Sequence, residues 1–529
     1  MRKRTNRRRF LKTTAAGAAG CLILRDSRSA WSYQANEKLN IALIGVGERG
    51  RGFIGKVKSM EQNLVAVCDV DERRIKEARG LPEKIRVYRD FRELLDEMDR
   101  ELDAVIIATP HHSQAAISAA AIRRNKHVYC EKPIAQDVGE ARDLRMLVAQ
   151  HPNVVTQMGN QGLASDSYRR ILEQVEDGAV GEIREAHQWF ISDYRRDPRD
   201  EQKPPADPTA LPPELDWDLY LGPAAERPYH HEYMRWSRWR DFATGMLGMG
   251  GSHSCHMTFN ALGMRALWET TGATGSASAG RELSGSNSRE PSPHQLALQT
   301  ASAGKLQEAG RPQGPDIRNT GKASGTQVND GKSATIRVDA KCSEAEPLVG
   351  PADARFPQWE VVRFEIPARG SMPPATIHWH KGKKADLERM GILEKLEKTA
   401  GRSLDWGSGW ASESGSLIVG ADGMVHTNMH NSECALLPLE KFAHQGGRPK
   451  RIPRAGSHER EWVNACRGRG PRPMSNFDYA GPVLELLLLG NISTLVGQPI
   501  EFDPVACKIT GDDEADRAIR PPRRDGWDL

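Results

Sequence analysis

The segment Leu39-Asn40-Ile41-Ala42-Leu43-Ile44-Gly45-Val46-Gly47-Glu48-Arg49-Gly50 decides the fold of this 529-residue chain. An apolar, largely β-branched run ends in G-x-G-x-x-G, and a helical stretch follows at once. In that context each glycine has a physical task. Gly45 permits the tight turn, Gly47 lets the backbone approach a pyrophosphate, and Gly50 allows helix and strand to pack closely. The helix N-terminus then offers unpaired N–H groups and partial positive charge to an anion. An acid, Asp69, stands 24 residues past Gly45 at the end of the next strand-like run, 64–69. Its carboxylate suits the ribose hydroxyls of NAD and repels a 2′-phosphate, while Arg73 and Arg74 leave NADP open.

Working outward, short apolar runs at 39–44, 64–69, 104–109, 127–129 and 153–155 alternate with amphipathic spacings at 91–98, 113–124 and 138–150. Continuous apolar strands separated by helices predict an α/β, doubly wound parallel sheet, a Rossmann domain over 38–160. Beyond residue 160 the rhythm changes. A helix at 167–177 and a strand at 182–191 lead to a loop rich in Pro, Trp, Tyr and His. Strand candidates follow at 335–341, 359–366, 375–380 and 416–426, then helices at 457–467 and 481–496. This pattern predicts an α+β domain over 161–529 with an open, mostly antiparallel sheet. Residues 275–333 fit neither domain: they contain no Phe, Tyr or Trp and only six Leu, Ile or Val. Such a segment buries too little apolar surface to offset its ordering entropy and reads as a disordered low-complexity insertion, with a functional lid as the other reading.

Charge points away from nucleic acid. The net +4 arises from residues 1–30, which hold nine Lys/Arg and one acid, so the remainder is acidic by four. Asn6-Arg7-Arg8-Arg9-Phe10-Leu11-Lys12 followed by a mild apolar run resembles a twin-arginine export signal, implying a periplasmic or secreted protein. Ala19-Gly20-Cys21 leaves a lipid anchor at Cys21 as a lesser reading. No run of 18 consecutive apolar residues occurs, so no membrane span is expected. The eight cysteines are scattered without a C-x-x-C pair, and His253, Cys255 and His256 lack further ligands at a recognisable spacing. No metal is expected there.

Glu131-Lys132-Pro133 follows the fifth strand, at the carboxyl edge where ligands bind in such sheets, and its proline is compatible with a cis bond that aims the lysine into the cleft. The order G-x-G-x-x-G, Asp69, Ala108-Thr109-Pro110-His111-His112, Glu131-Lys132-Pro133 resembles the Gfo/Idh/MocA oxidoreductases, the relatives of glucose–fructose oxidoreductase and inositol dehydrogenase. Arg235–Phe242, Gly251-Ser252-His253, Arg363–Gly370 and the ending Arg524–Leu529 extend the resemblance over nearly the whole chain apart from 1–30 and 275–333.

The resemblance implies NAD, with NADP as the alternative, and hydride transfer between nicotinamide and a hydroxyl-bearing carbon of a sugar, sugar acid or cyclitol. It assigns catalysis to Lys132 and His253. Cofactor binding falls to Gly45, Gly47, Arg49, Gly50, Asp69, Thr109, Pro110, His112, Glu131, Lys132 and Asn160. Substrate contact falls to Gln161, Tyr168, Trp239, Asp241 and His256. It also implies a homo-oligomer, dimer or tetramer, paired through the open sheet face.

One position departs. The family pattern places an aspartate four residues before the histidine; here Gly245-Met246-Leu247-Gly248-Met249-Gly250-Gly251-Ser252-His253 puts a thioether there, which can neither take a proton nor orient an imidazolium by charge. Three readings therefore stand: an exported dehydrogenase, an NAD-dependent glycoside hydrolase of the same fold that uses its cofactor transiently, and a catalytically weakened carbohydrate-binding homologue. The aromatic residues Trp217, Tyr220, Tyr229, Tyr233, Trp236 and Trp239 suit either a sugar platform or a packed core.

Overall fold

The computed structural model describes residues 38–192, 207–269, 334–343, 356–407, 412–443 and 450–527. The export signal expected at 1–30 and the insertion expected at 275–333 lie outside the described residues. Six strands, β1 (Asn40–Ile44), β2 (Asn63–Cys68), β3 (Arg86–Tyr88), β4 (Ala104–Ile107), β5 (His127–Glu131) and β6 (Thr156–Gly159), form a sheet in the order β3-β2-β1-β4-β5-β6. Every pairing in it is parallel. β4, and β1 after its first residue Asn40, are apolar and almost completely buried, as strands covered on both faces must be. The strand order reverses between β1 and β4, which opens a crevice beyond their carboxyl ends.

The second sheet has nine strands: β7 (Ile183–Ile191), β8 (Ile336–Cys342), β9 (Glu360–Ile366), β10 (Ala375–Gly382), β11 (Gly415–Gly420), β12 (Met424–Asn428), β13 (Cys434–Leu437), β14 (Ile500–Asp503) and β15 (Lys508–Thr510). Its order is β13-β12-β11-β7-β10-β9-β8-β14-β15. Only β7 and β10 run parallel; all other neighbours are antiparallel. Several boundaries differ from expectation. The strand expected at 153–155 begins at Thr156, because His151 to Asn153 form a turn and Val154 drops into the core. The single strand expected at 416–426 is a hairpin, β11–β12. The short β3, β13, β14 and β15 carry too little apolar pattern to be legible.

The helix Phe477–Val496 joins the two halves. It begins four residues before the expected start, since Asn476 caps it by accepting the Tyr479 N–H at 3.2 Å and Pro482 sits inside it rather than at its first position. By length and composition it could cross a membrane, yet 16 of its 20 residues are buried within the protein. It packs against the helix Val138–Gln150 of the first domain and against β8 of the second. Its fully buried Glu485 receives two hydrogen bonds from Arg142, at 2.8 and 2.6 Å, and one from the Trp268 indole at 2.7 Å.

Removing one partner from a buried ion pair leaves an uncompensated charge. Arg142→Met is therefore expected to lower stability by about 3–5 kcal/mol, and adding Glu485→Met in the same chain to recover part of the loss. Denaturant unfolding curves of the single and double variants check this.

Candidate active site

The glycine turn is built as its sequence implies. Gly45 has φ +87°, and a Cβ there would lie 2.7 Å from the Ala108 carbonyl carbon and oxygen. A Cβ on Gly50 would lie 1.9 Å from the Gly45 oxygen, so the first turn of the helix Glu48–Ser59 rests directly on the loop. Gly47 differs: a Cβ would meet nothing within 4 Å. That open side faces a cleft of about 780 Å³, within the usual range for ligand pockets. Gly47 caps the helix without any side-chain hydrogen bond, which leaves first-turn N–H groups for an anion. Asp69 also lines the cleft and is held by the Val46 N–H at 2.7 Å and the Asp71 N–H at 3.0 Å. Burial raises its pKa, opposed by those two N–H donors. Arg73 is occupied by Asp71 through two bonds of 2.8 Å, whereas Arg74 lines the cleft. These features fit a dinucleotide: an uncapped helix end and space at Gly47 for phosphates, and a carboxylate at the end of β2 for ribose.

Arg49, Thr109, Pro110, His112, Glu131, Lys132, Gln161 and His253 line the same cleft. Arg49 pairs with Glu131 at 2.5 Å, and the Gln161 amide reaches the Tyr129 hydroxyl at 3.2 Å. The Lys132–Pro133 bond is cis. The Lys132 ammonium donates to the Met249 carbonyl oxygen at 3.1 Å. Met249 itself belongs to a π-helical turn, Leu247–Gly251, that leads into His253. The His253 ring is buried, and its Nδ1 has no hydrogen-bond partner among the described residues. Burial, reinforced by the Lys132 charge, holds its pKa well below the ordinary imidazole value. A neutral imidazole lining the cleft beside an ammonium is equipped to accept a proton from a hydroxyl that the ammonium polarises.

Asn160, Tyr168, Trp239, Asp241 and His256, expected at cofactor or substrate, lie outside the lining of this cleft. Asn160 is buried and engages the His256 ring and the Ser475 hydroxyl. His256 lies within 2.7 Å of the Ser252 carbonyl and 3.0 Å of the Tyr479 hydroxyl, and burial takes its pKa down to about 4. Tyr168 is fully buried and accepts from Asn260 at 2.7 Å. Trp239 donates to the Glu232 carbonyl at 3.0 Å, and Asp241 is paired with Arg227. Each is consumed by packing that sequence position does not reveal.

The aromatic stretch divides. All six belong to or pack against one apolar cluster that includes Phe242, and of them only Tyr220 and Trp236 also line the cleft. Among the cleft residues that the sequence reading did not single out are Met234, His430 and Trp527. His430 follows β12, and its ring stands edge-on to His253 with centroids 4.8 Å apart. Asn431 beside it has φ +53°, a left-handed turn that the residue order His430-Asn431 does not announce. The seven described cysteines are free thiols.

A glycine-cradled crevice at the carboxyl edge of a parallel 3-2-1-4-5-6 sheet defines a dinucleotide-binding α/β protein. Residues 39–158 match the Gfo/Idh/MocA oxidoreductase family, described by its NAD-binding Rossmann fold. A glycosyl hydrolase family 109 protein of Shewanella amazonensis is 28% identical over 250 residues, 42% of this chain and 54% of that protein. A myo-inositol 2-dehydrogenase of Thermotoga maritima is 25% identical over 144 residues, 27% of this chain and 42% of that protein. The chain thus spans about half the length of these curated relatives. The crystal structure of an oxidoreductase domain protein from Kribbella flavida superposes with a TM-score of 0.50 at 16% identity, covering 88% of this chain and 99% of that one, a likeness of fold.

Two substitutions separate cradle from scaffold. Gly47→Val is expected to weaken NADH binding at least about tenfold, ~1.4 kcal/mol, with little change in unfolding temperature, because its side chain would occupy only the cleft. Gly50→Ala is expected to lower stability by about 1–3 kcal/mol, because backbone cannot yield to the new methyl. Calorimetric NADH titration and thermal unfolding of both variants check this.

Proposed function

We propose that the protein is an exported NAD-dependent oxidoreductase that moves hydride between nicotinamide and a hydroxyl-bearing carbon of a sugar, sugar acid or cyclitol. The observation that carries this reading is the convergence of Lys132 and the neutral His253 on the cleft that begins at the glycine turn. The glycine loop, the helix end behind it and Asp69 would hold NAD, which supplies the hydride acceptor. Lys132 hydrogen-bonds the reacting hydroxyl and favours its deprotonation, and His253 takes the proton. Tyr220 and Trp236 offer flat apolar faces to a ring. The half-buried Asp69 at the cleft wall disfavours a 2′-phosphate and makes NAD the preferred cofactor. Arg7-Arg8-Arg9-Phe10-Leu11 supports twin-arginine export, and the family resemblance supports a homo-oligomer.

A second reading rests on the Shewanella relative: glycoside hydrolysis without net cofactor turnover, a reaction suited to a compartment where free NAD is scarce. The two separate in one assay. Purified protein incubated with NAD and a panel of sugars, cyclitols and glycosides either accumulates NADH or releases reducing sugar without it. If neither product forms across the panel, the weakened binding protein implied by Met249 replaces both.

Lys132→Ala and His253→Ala are each expected to lower kcat by about 10²–10⁴-fold while NADH titration shows cofactor binding retained. His253 must be neutral to accept a proton, and its pKa is depressed from 6.5. The acid limb of kcat/KM is therefore expected below pH 6.5, with activity lost only as pH falls through that depressed value. Asp69→Ala is expected to narrow the preference for NAD over NADP, read as the ratio of kcat/KM for the two cofactors.

A further inference from the structure

A second group of ionisable side chains lies far from this cleft in sequence and on a different sheet. On β7, Glu185 and His187 are two residues apart and so share one face; on β10, His378 and His380 do the same. The alternate residues Ala186, Phe190, Ile377 and Trp379 belong to the main core, so the histidines occupy the opposite face. The parallel register sets His187 directly beside His378, with rings stacked at 4.8 Å and 11° between planes. His380 stacks one pair further on, 5.7 Å from His187. The Glu185 carboxylate lies 2.9 Å from His187 Nε2 and 3.8 Å from His378 Nε2. All three donor atoms fall within 4.8 Å of one another.

We propose that Glu185, His187 and His378 form a binding site for one divalent transition-metal ion of the Zn²⁺ class. Two imidazoles and a carboxylate are the borderline donor set that Zn²⁺ prefers, and three protein ligands leave a fourth position for water. Tetrahedral coordination at 2.0–2.1 Å separates ligand atoms by about 3.3 Å, and the two carboxylate–imidazole separations bracket that value. His380 supports the site independently. It is buried, its Nδ1 has no partner among the described residues, and its Nε2 stands 3.4 Å from His187 Nδ1. It thus fixes the His187 ring in the manner of outer-shell partners.

β11 sets the apolar Leu417 and Val419 opposite His187 and Glu185, and cations face the site from two other elements. Lys395, from the helix Ile392–Ala400, lies 3.8 Å from the Glu185 carboxylate, and Arg363 is opposite His378 on β9 and paired with Glu365. Lys395 is two-thirds exposed and free to swing into solvent as the cation enters. Burial pushes the pKa of His187 down to about 4 and also lowers His378 and His380, so the rings are neutral at pH 7, the state a metal requires. Glu185 is about two-fifths and His378 one-quarter exposed at the side chain, which gives an ion access from solvent.

The test uses untagged full-length protein stripped with chelator and titrated with Co²⁺, followed by visible d–d absorption, then with Zn²⁺ in competition. One equivalent of Co²⁺ per chain with a tetrahedral spectrum, displaced by Zn²⁺, is expected. Glu185→Gln and His378→Gln, both at partly exposed positions, should each weaken binding at least about tenfold, with unfolding temperature and NADH binding unchanged. Absence of saturable binding by the wild type overturns the proposal. So does binding that both substitutions leave unaltered, since the ion would then sit on other histidines.

Discussion

The helix Phe477–Val496 has no polar face, and every side of it must find an apolar surface. One side lies on the helix Val138–Gln150 of the nucleotide domain, another on β8 of the second sheet, and a third on the π-helical turn Leu247–Gly251. Contact at that turn is close: a Cβ on Gly251 would come within 2.8 Å of a Leu487 methyl. Burial of this single helix therefore fixes where His253, in the short helix Ser252–Ser254, stands relative to Lys132, which follows β5. The Glu485–Arg142 pair adds direction to what is otherwise non-directional apolar packing.

That placement has an electrostatic consequence. Lys132 brings positive charge to a cleft that His253 and His430 also line, and burial keeps both imidazoles neutral. Met249 supplies no side-chain charge at the position where the family pattern has an acid, but its backbone carbonyl receives the Lys132 ammonium. The lysine is thus oriented by a peptide dipole. A carbonyl can direct a hydrogen bond without taking up a proton, so the proposed reaction gives proton acceptance to His253 and not to position 249.

The nucleotide half was readable because its determinants are local. Gly45, Gly47 and Gly50 fall within six residues of each other in a recognisable spacing, Gly50 resting directly on the Gly45 backbone, and strands of buried β-branched residues announce themselves. The catalytic half was less readable. Tyr168, Asn160 and His256 are polar residues near the expected positions, yet they form a buried hydrogen-bonded group with Ser475, Tyr479 and Asn260. Residue type and spacing cannot distinguish such a satisfied core cluster from one that faces substrate. The same limit applies to the aromatic stretch, where all six residues pack in the cluster that includes Phe242 but only Tyr220 and Trp236 also reach the cleft.

By itself, the sequence determined the strand–glycine turn–helix unit, the parallel sheet that grows from it, the change of pattern near residue 160 and the presence of Lys132 at a sheet edge. Those features depend on periodicity and on conformations open mainly to glycine, which neighbouring residues specify. Only the tertiary structure decided which polar groups meet. His430 reaches His253, the Met249 carbonyl reaches Lys132, and Glu185 and His187 meet His378 across strands 191 residues apart. Such encounters follow from strand order and from the burial of one apolar helix, long-range terms that no local spacing encodes.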